Sequence, residues 1–219
     1  LPENIDDVES AKKIWHSAIE SCKSASLEFE KLKLHKQWAN RPNDWHVMAK
    51  GVFSGTEWTN FLWLRNHSDP QPEVAELARQ INEYLTNGTP TLLQAGEWHL
   101  PYITKVGNVL YAGGQEVTLQ QAILISTSCC AQASYRTLDE TLEKALTVYS
   151  RLNIDSDDKP KHVSPTEHQG TPMRWSNIPF NPETWEDGVT HVRKDGSLWS
   201  AKFQGWIQHR QLIKGEAKW

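Results

Sequence analysis

Residues 188–203, GVTHVRKDGSLWSAKF, set β-rich segments on either side of Asp195-Gly196. Asp-Gly supplies the positive φ angles of a tight primed turn, so the stretch predicts a β-hairpin. Upstream of it the patterning is helical. Residues 6–33 read as one long helix, with Asp6 and Glu9 as a capping box. Val8, Ala11, Trp15, Ala18, Cys22, Ala25, Phe29 and Leu32 form an apolar stripe at alternating three-four spacing. That stripe is a packing face, and Trp15 and Cys22 belong to it as core or helix-pair contacts. A second helix is expected from Asp69 as N-cap, with prolines and an acid in its first turn and Val74, Leu77, Ala78, Ile81 and Leu85 on its apolar side. The Asn87-Gly88-Thr89-Pro90 cluster ends it.

Residues 91–117 read as irregular or extended, with a turn at Gly113-Gly114. Thr118 and Gln121 form a capping box for a helix carrying Leu119, Ala122, Ile123 and Leu124. Thr137 and Glu140 are expected to cap another, with Leu142, Ala145, Leu146, Tyr149 and Leu152 buried. From 153 to 187 proline, charge and asparagine predict loops that carry exposed functional groups. Helices followed by late strands make an α+β class, and no linker divides the chain, so one domain over 1–219 is expected.

Composition narrows the function. With 38% hydrophobic and 23% charged residues among 219, and a mean hydropathy of −0.62, the chain has a globular composition and no apolar run of membrane-spanning length. A net charge of −4 argues against a nucleic-acid polymer as partner, because phosphate-backbone binding needs clustered Lys and Arg. A single nucleotide needs only a few cations. Cys22, Cys129 and Cys130 make no disulfide framework, which points to a reducing, cytoplasmic setting. The Asn66-His67-Ser68 and Asn87-Gly88-Thr89 sequons are chance matches on this reading. The start at Leu1-Pro2 leads to the expectation that residues are missing upstream.

No phosphate loop, dinucleotide fingerprint, zinc motif or serine elbow occurs. Instead, polar residues interrupt well-patterned segments: HKQWANR at 35–41, TEWTNFLWLR at 56–65, SYR at 134–136 and HVSPTEHQ at 162–169. Arg41, Arg65 and Arg136 could hold an anionic ligand or simply form surface ion pairs. Asn60 and Glu167 could be helix caps. His162 and His168, with Glu167 the nearest acid, do not define a metal site by spacing, and no metal is expected.

Taken together and in order, these blocks resemble the flavin-dependent thymidylate synthases, in a phage-type branch whose blocks occur in rotated order. The resemblance runs from about His35 to Arg210. His162-Val-Ser164-Pro-Thr-Glu167-His168 is similar to the family's FAD-contacting His-x-Thr-Pro-Phe-Glu-His segment, with serine for threonine and Thr166 for the aromatic residue. Cys130-Ala-Gln-Ala-Ser134-Tyr135 is similar to Ala-Arg-Val-Ser-Phe, with Gln132 at the arginine. Residues 59–65 resemble the segment whose asparagine lies at the flavin and whose arginine binds the dUMP base. Residues 35–41 resemble one that supplies a second nucleotide-binding arginine to a neighbouring subunit's site. Gly96-Glu-Trp-His99-Leu-Pro101-Tyr102 also fits the phage-type branch.

The resemblance implies a sheet, mixed or antiparallel, flanked by long helices, and a homotetramer with active sites at subunit interfaces. It implies dUMP bound by Arg41 and Arg65, with Arg65 the catalytic residue. FAD would contact Asn60, Ser134, His162, Ser164 and Glu167, with NADPH and methylenetetrahydrofolate as cosubstrates. His209 and Arg210 are further substrate-binding candidates. One block departs from the pattern. The signature Arg-His-Arg followed seven residues later by Ser reads here Gln208-His209-Arg210, with Lys218 at the serine. In the rotated branch the full signature lies upstream, so it is either lost or carried on a separate polypeptide. An alternative reading follows: a catalytically incomplete FAD- or nucleotide-binding subunit that needs a partner. A helical interaction module built on the stripe from Val8 to Leu32 is a third. Cys129 and Cys130, on an apolar helix without a base, read as buried structural thiols rather than nucleophiles.

Overall fold

The computed structural model describes residues 7–135, 137–174 and 179–215. Asp6, Arg136 and Lys218, which figure in the sequence reading, lie outside them. The chain packs as two compact units, Leu1–Lys50 and Gly51–Trp219.

The first unit is built on α1 (Val8–Lys31). Its N-cap is Asp7, whose carboxylate accepts the Ser10 N–H at 2.9 Å, so the cap falls one residue after the expected Asp6. The helix stops where Lys33 turns left-handed (φ 60°). A short α2 (Lys36–Ala39) and a 3-10 turn at Arg41–Asn43 fold back on it, held by the Asn43 amide donating to Ser26 Oγ at 2.8 Å and by Trp15 edge-on to His46. The apolar stripe is only partly a packing face. Ala11, Cys22 and Ala25 are half-buried, but Val8, Trp15, Phe29 and Leu32 are exposed.

The second unit is α+β, as the sequence predicts. It holds α3 (Thr59–Arg65), α4 (Pro72–Asn87), α5 (Leu119–Ala131) and α6 (Leu142–Leu152). α4 begins later than expected, at Pro72, with Gln71 rather than Asp69 as N-cap. The residue before a proline is driven to extended backbone, and Gln71 takes ψ 131°. α5 carries the Thr118–Gln121 capping box as read. α6 is capped by Thr141, not Thr137. Glu140 is drawn away to accept the Gly113 N–H, and Asp139 accepts from the Thr141 N–H and hydroxyl. Val148, not Leu146, joins Ala145 and Tyr149 in the interior, and Leu146 is exposed.

Three small antiparallel sheets complete the unit. β1 (Thr104–Val106), β2 (Val109–Ala112) and β3 (Gln115–Val117) form a meander inside the stretch expected to be irregular or extended, turning at Gly113-Gly114 as read. β4 (Gly170–Pro172) pairs with β8 (Trp206–Gln208). β5 (His191–Val192), β6 (Leu198–Ser200) and β7 (Phe203–Gln204) make the third sheet. The hairpin at Asp195-Gly196 is present, with a different turn. Gly196 N–H donates to Arg193 O and Arg193 N–H to Ser197 O, and only Gly196 takes positive φ (83°). That is a type I turn closed by a bulge, not a primed two-residue turn.

The core lies between α5, α6 and β2. Ile125, Cys129, Ala112 and Ala145 pack with Leu124 and Leu142, and a second cluster joins Tyr149, Ile154 and Val163. Cys129 and Cys130 are buried, as read, and burial pushes both thiols up to about 12.

Candidate functional site

β4 runs between His99, which it meets in a single bridge, and β8, so the residues just before β4 are held against the tail of the chain. Two buried amides lock this junction. Gln169 Nε2 donates to Ser126 Oγ at 3.1 Å and approaches Cys130 Sγ at 3.5 Å, while its backbone carbonyl accepts the His209 N–H and its Oε1 has no partner among the described residues. Gln208 Nε2 donates to the Glu167 carbonyl at 2.9 Å, and its N–H donates to Ser200 Oγ. Gly170 lets the strands close tightly: a Cβ there would lie 3.1 Å from the Phe203 ring and 3.2 Å from the Ile207 carbonyl, so these neighbours would have to shift.

The junction presents Glu167 at the end of a 3-10 turn, Ser164–Glu167. Its carboxylate binds Lys202 Nζ at 2.8 Å through one oxygen and Arg210 Nη1 through the other. Burial would raise its pKa, but hydrogen bonds from Lys202 and Arg210 outweigh that and hold it below the ordinary range. Beside it, His168 Nδ1 lies 3.1 Å from Ser54 Oγ. Burial lowers the His168 pKa, aided by the Lys202 charge and opposed by Glu167, which favours the neutral ring.

Two hollows flank this cluster, and residues 53–60 contribute to the walls of both. One, of about 840 Å³, is mostly apolar and aromatic, walled by Phe53, Trp58, Tyr84, Phe203 and Trp206 with Ser54 and His99 at its polar edges. The other, of about 720 Å³, is an open groove between Asn60 and Trp63 on one side and Arg193 and Lys202 on the other. The Arg193 guanidinium sits 3.5 Å over the Trp199 ring, which fixes its position.

The structure thus brings Glu167 and Arg210 together and sets Asn60 in the groove that Lys202 shares. Ser134 is exposed just after α5, and His162 and Ser164 are exposed on the loop before Glu167. Arg65 is exposed at the last position of α3, with no ion-pair partner among the described residues. Arg41, in the first unit, stacks on Trp38 at 4.1 Å. His209 turns edge-on to Trp98, away from Arg210. Its buried Nδ1 has no hydrogen-bond partner among the described residues, and burial drives its pKa down to about 4. No group of three or more metal-binding side chains forms among the described residues.

Sequence reasoning missed Lys202 and Ser54. Lys202 is a lone lysine in a strand-to-strand turn, and only the fold brings it to Glu167. Ser54 carried one usable signal, its place just ahead of the Thr56–Arg65 block. No protein-family model, curated protein or solved structure matches the chain.

Proposed function

We propose that this chain carries the flavin and nucleotide blocks of a flavin-dependent thymidylate synthase of the phage type. It would convert dUMP to dTMP with FAD bound, methylenetetrahydrofolate as carbon donor and NADPH as reductant. It would work as a homotetramer in the cytoplasm, the host's if phage-encoded. One observation carries the reading: blocks separated in sequence meet at Glu167. The carboxylate of the His162–His168 block gathers Lys202 and Arg210 from the tail, and Lys202 faces Asn60 across a groove.

The hollows suit FAD by their chemistry. Phe53, Trp58, Tyr84 and Trp206 offer flat apolar surface to a ring system, Ser54 and His99 offer it a polar edge, and Arg193 and Lys202 suit phosphates. FAD would supply hydride there. The protein's part is to bind and polarise. Arg65 would hold dUMP and stabilise negative charge that develops on the base oxygens, Arg41 would reach the dUMP of a neighbouring subunit, and His209 and Arg210 would assist in binding. Asn60, Ser134, His162, Ser164 and Glu167 would contact the flavin. No thiol nucleophile is needed, which agrees with Cys129 and Cys130 being buried and held protonated.

A second reading is favoured by Gln208. It stands where the family signature begins with arginine, it is neutral, and its amide is spent inside the protein on the Glu167 carbonyl. That supports a catalytically incomplete FAD- or nucleotide-binding subunit that needs a partner carrying the signature. Purified protein separates the two. A flavin absorption spectrum with dTMP formed in the presence of all cosubstrates is expected for the enzyme. A flavin spectrum with dTMP formed only after a signature-bearing chain is added is expected for the subunit. Protein that binds no FAD in either condition sinks the enzyme, and protein that binds neither FAD nor dUMP sinks the subunit as well. Arg65→Ala should abolish dUMP binding with flavin retained; unchanged dUMP affinity removes Arg65 from the site.

A further inference from the structure

Ser54 and His168 stand 114 residues apart in the chain and meet within hydrogen-bond distance, Oγ to Nδ1 at 3.1 Å. Both are half-buried. Ser54 lies in the irregular stretch before α3, whose N-cap is Trp58, so its hydroxyl caps no helix. Its one hydrogen-bond partner among the described residues is His168. Ser54 borders the hollow of about 840 Å³ together with Gly55 and Thr56. The N–H groups of Gly55 and Thr56 have no hydrogen-bond partner among the described residues. Phe53, Trp58, Leu77, Ile81, Tyr84 and Trp206 wall the hollow, and no Asp, Glu, Lys or Arg lines it among the described residues.

We propose that Ser54 is the nucleophile and His168 the general base of an ester hydrolase, which takes neutral esters with an apolar acyl group into this hollow. With the imidazole proton on Nε2, Nδ1 accepts from the Ser54 hydroxyl. Ser54 Oγ attacks the ester carbonyl carbon as Nδ1 takes its proton. The carbonyl oxygen turns negative and is met by the N–H groups of Gly55 and Thr56; the residue after a nucleophilic serine is a usual donor there. Collapse of the tetrahedral intermediate breaks the bond to the alcohol, which leaves with the proton from His168. Water then attacks the acyl-serine, giving a proton to Nδ1, and the carboxylic acid departs as Ser54 recovers that proton. Nothing is oxidised or reduced. Burial and the Lys202 charge keep the ring neutral and ready as a base, while the Glu167 charge favours the imidazolium that forms during reaction. The uncharged walls bind an apolar acyl group and give a charged one no partner. No acid holds Nε2 among the described residues, so turnover is expected about ten-thousand-fold below that of a complete triad.

The activity stands on Ser54 and His168 and is independent of the thymidylate reading. The whole chain, as purified and after removal of any flavin, is assayed with p-nitrophenyl butyrate. Release of p-nitrophenol above the buffer rate is expected. The rate should rise with pH through a pKa below 6.5 and level off above it, because the neutral ring is the base. Ser54→Ala and His168→Asn should each lower the catalysed rate about a hundred-fold. The mono-p-nitrophenyl ester of succinate carries a free carboxylate and should be cut about ten-fold more slowly than the butyrate ester. A fluorophosphonate probe reads the nucleophile on the native chain without any variant, and peptide mapping should find the adduct on Ser54. No hydrolysis in either preparation, an unchanged rate in Ser54→Ala, or an adduct only on another residue overturns the proposal. Equal rates for the two esters overturn the hollow as the acyl site. Flavin absorbance on the same samples keeps the two readings apart. Hydrolysis without flavin leaves the esterase and removes the thymidylate synthase, and flavin without hydrolysis does the reverse.

Discussion

In residues 51–215 the largest fully buried side chains include Gln132, Gln169 and Gln208 beside Ile125 and Ile207. In residues 7–50 only Ser26 and Ala39 are buried among the described residues, while Trp45 stands 83% and Met48 100% exposed. The two regions satisfy their side chains by opposite means. A buried amide must find specific partners, and the amide NH2 of each of the three glutamines does, although Gln169 Oε1 has none among the described residues. Gln132 spans Ser128 and Asp139, Gln169 reaches Ser126 and Cys130, and Gln208 holds Glu167. Such bonds tolerate one arrangement, so they fix where Glu167, His168 and Arg210 stand. The first region has no such network. Its helix is capped and laced with exposed ion pairs, and much of its apolar surface, Ile14, Leu32 and Trp45 among it, is exposed.

The largest effect that could break this contrast comes from truncating one isoleucine in each region. Ile125→Ala removes a side chain that is 1% exposed in the α5–α6 core and should cost about 2–5 kcal/mol. Ile14→Ala, at 72% exposure, should stay within about 0.5 kcal/mol in dilute protein. Urea unfolding of both variants measures the difference. Equal losses would mean that α1 is packed within the chain and that the contrast is not one of internal satisfaction.

Glu167 tests the polar half of the contrast. Glu167→Gln leaves Lys202 and Arg210 without their carboxylate and should cost about 2 kcal/mol at pH 7, less than a fully buried pair because Lys202 is half exposed. Its pKa is depressed in the folded state. The stabilisation is therefore complete above the ordinary value near 4.5 and is lost as pH falls through the lower folded value. Unfolding midpoints should drop below pH 4.5 more steeply for the native chain than for the variant. Parallel curves would show that the pairs contribute nothing to the fold.

Where local chemistry decides, the sequence is legible. The Thr118–Gln121 box, the Asp195-Gly196 hairpin and the buried thiols each depend on neighbours in the chain. The three-stranded meander between 104 and 117 is not legible, because strands of three or four half-exposed residues leave too short an alternation. The α6 cap was misassigned because Glu140 answers to Gly113, 27 residues away. At the site, Glu167 is visible as a carboxylate in a polar block, but Lys202 lies 35 residues further on in a turn with no pattern to mark it. Nothing local marks Gln132, Gln169 and Gln208 as interior, and only tertiary packing reveals amides that replace apolar core.

The smallest expected effect concerns a polar atom in residues 51–215 that the network leaves out. His209 Nδ1 is buried without a partner, and the ring's pKa is driven from 6.5 to about 4 by burial. Folded protein should therefore hold this ring neutral at pH 5.5, whereas the unfolded chain takes up a proton near 6.5. The unfolded state binds the extra proton between the two values, so stability falls as pH drops from 6.5 toward 4 and is unaffected above that window. At pH 5.5 the loss is about 1.4 kcal/mol, one pKa unit's worth, and His209→Phe should remove it. This window lies above that of Glu167, so the two slopes separate in one pH series. Proton NMR of the ring reads the same quantity directly. A ring that titrates near 6.5 in the folded protein would mean that Nδ1 has a partner or water. A ring still neutral at pH 5 would make His209 a neutral group, able to donate or accept a hydrogen bond but not to bind an anion as a cation.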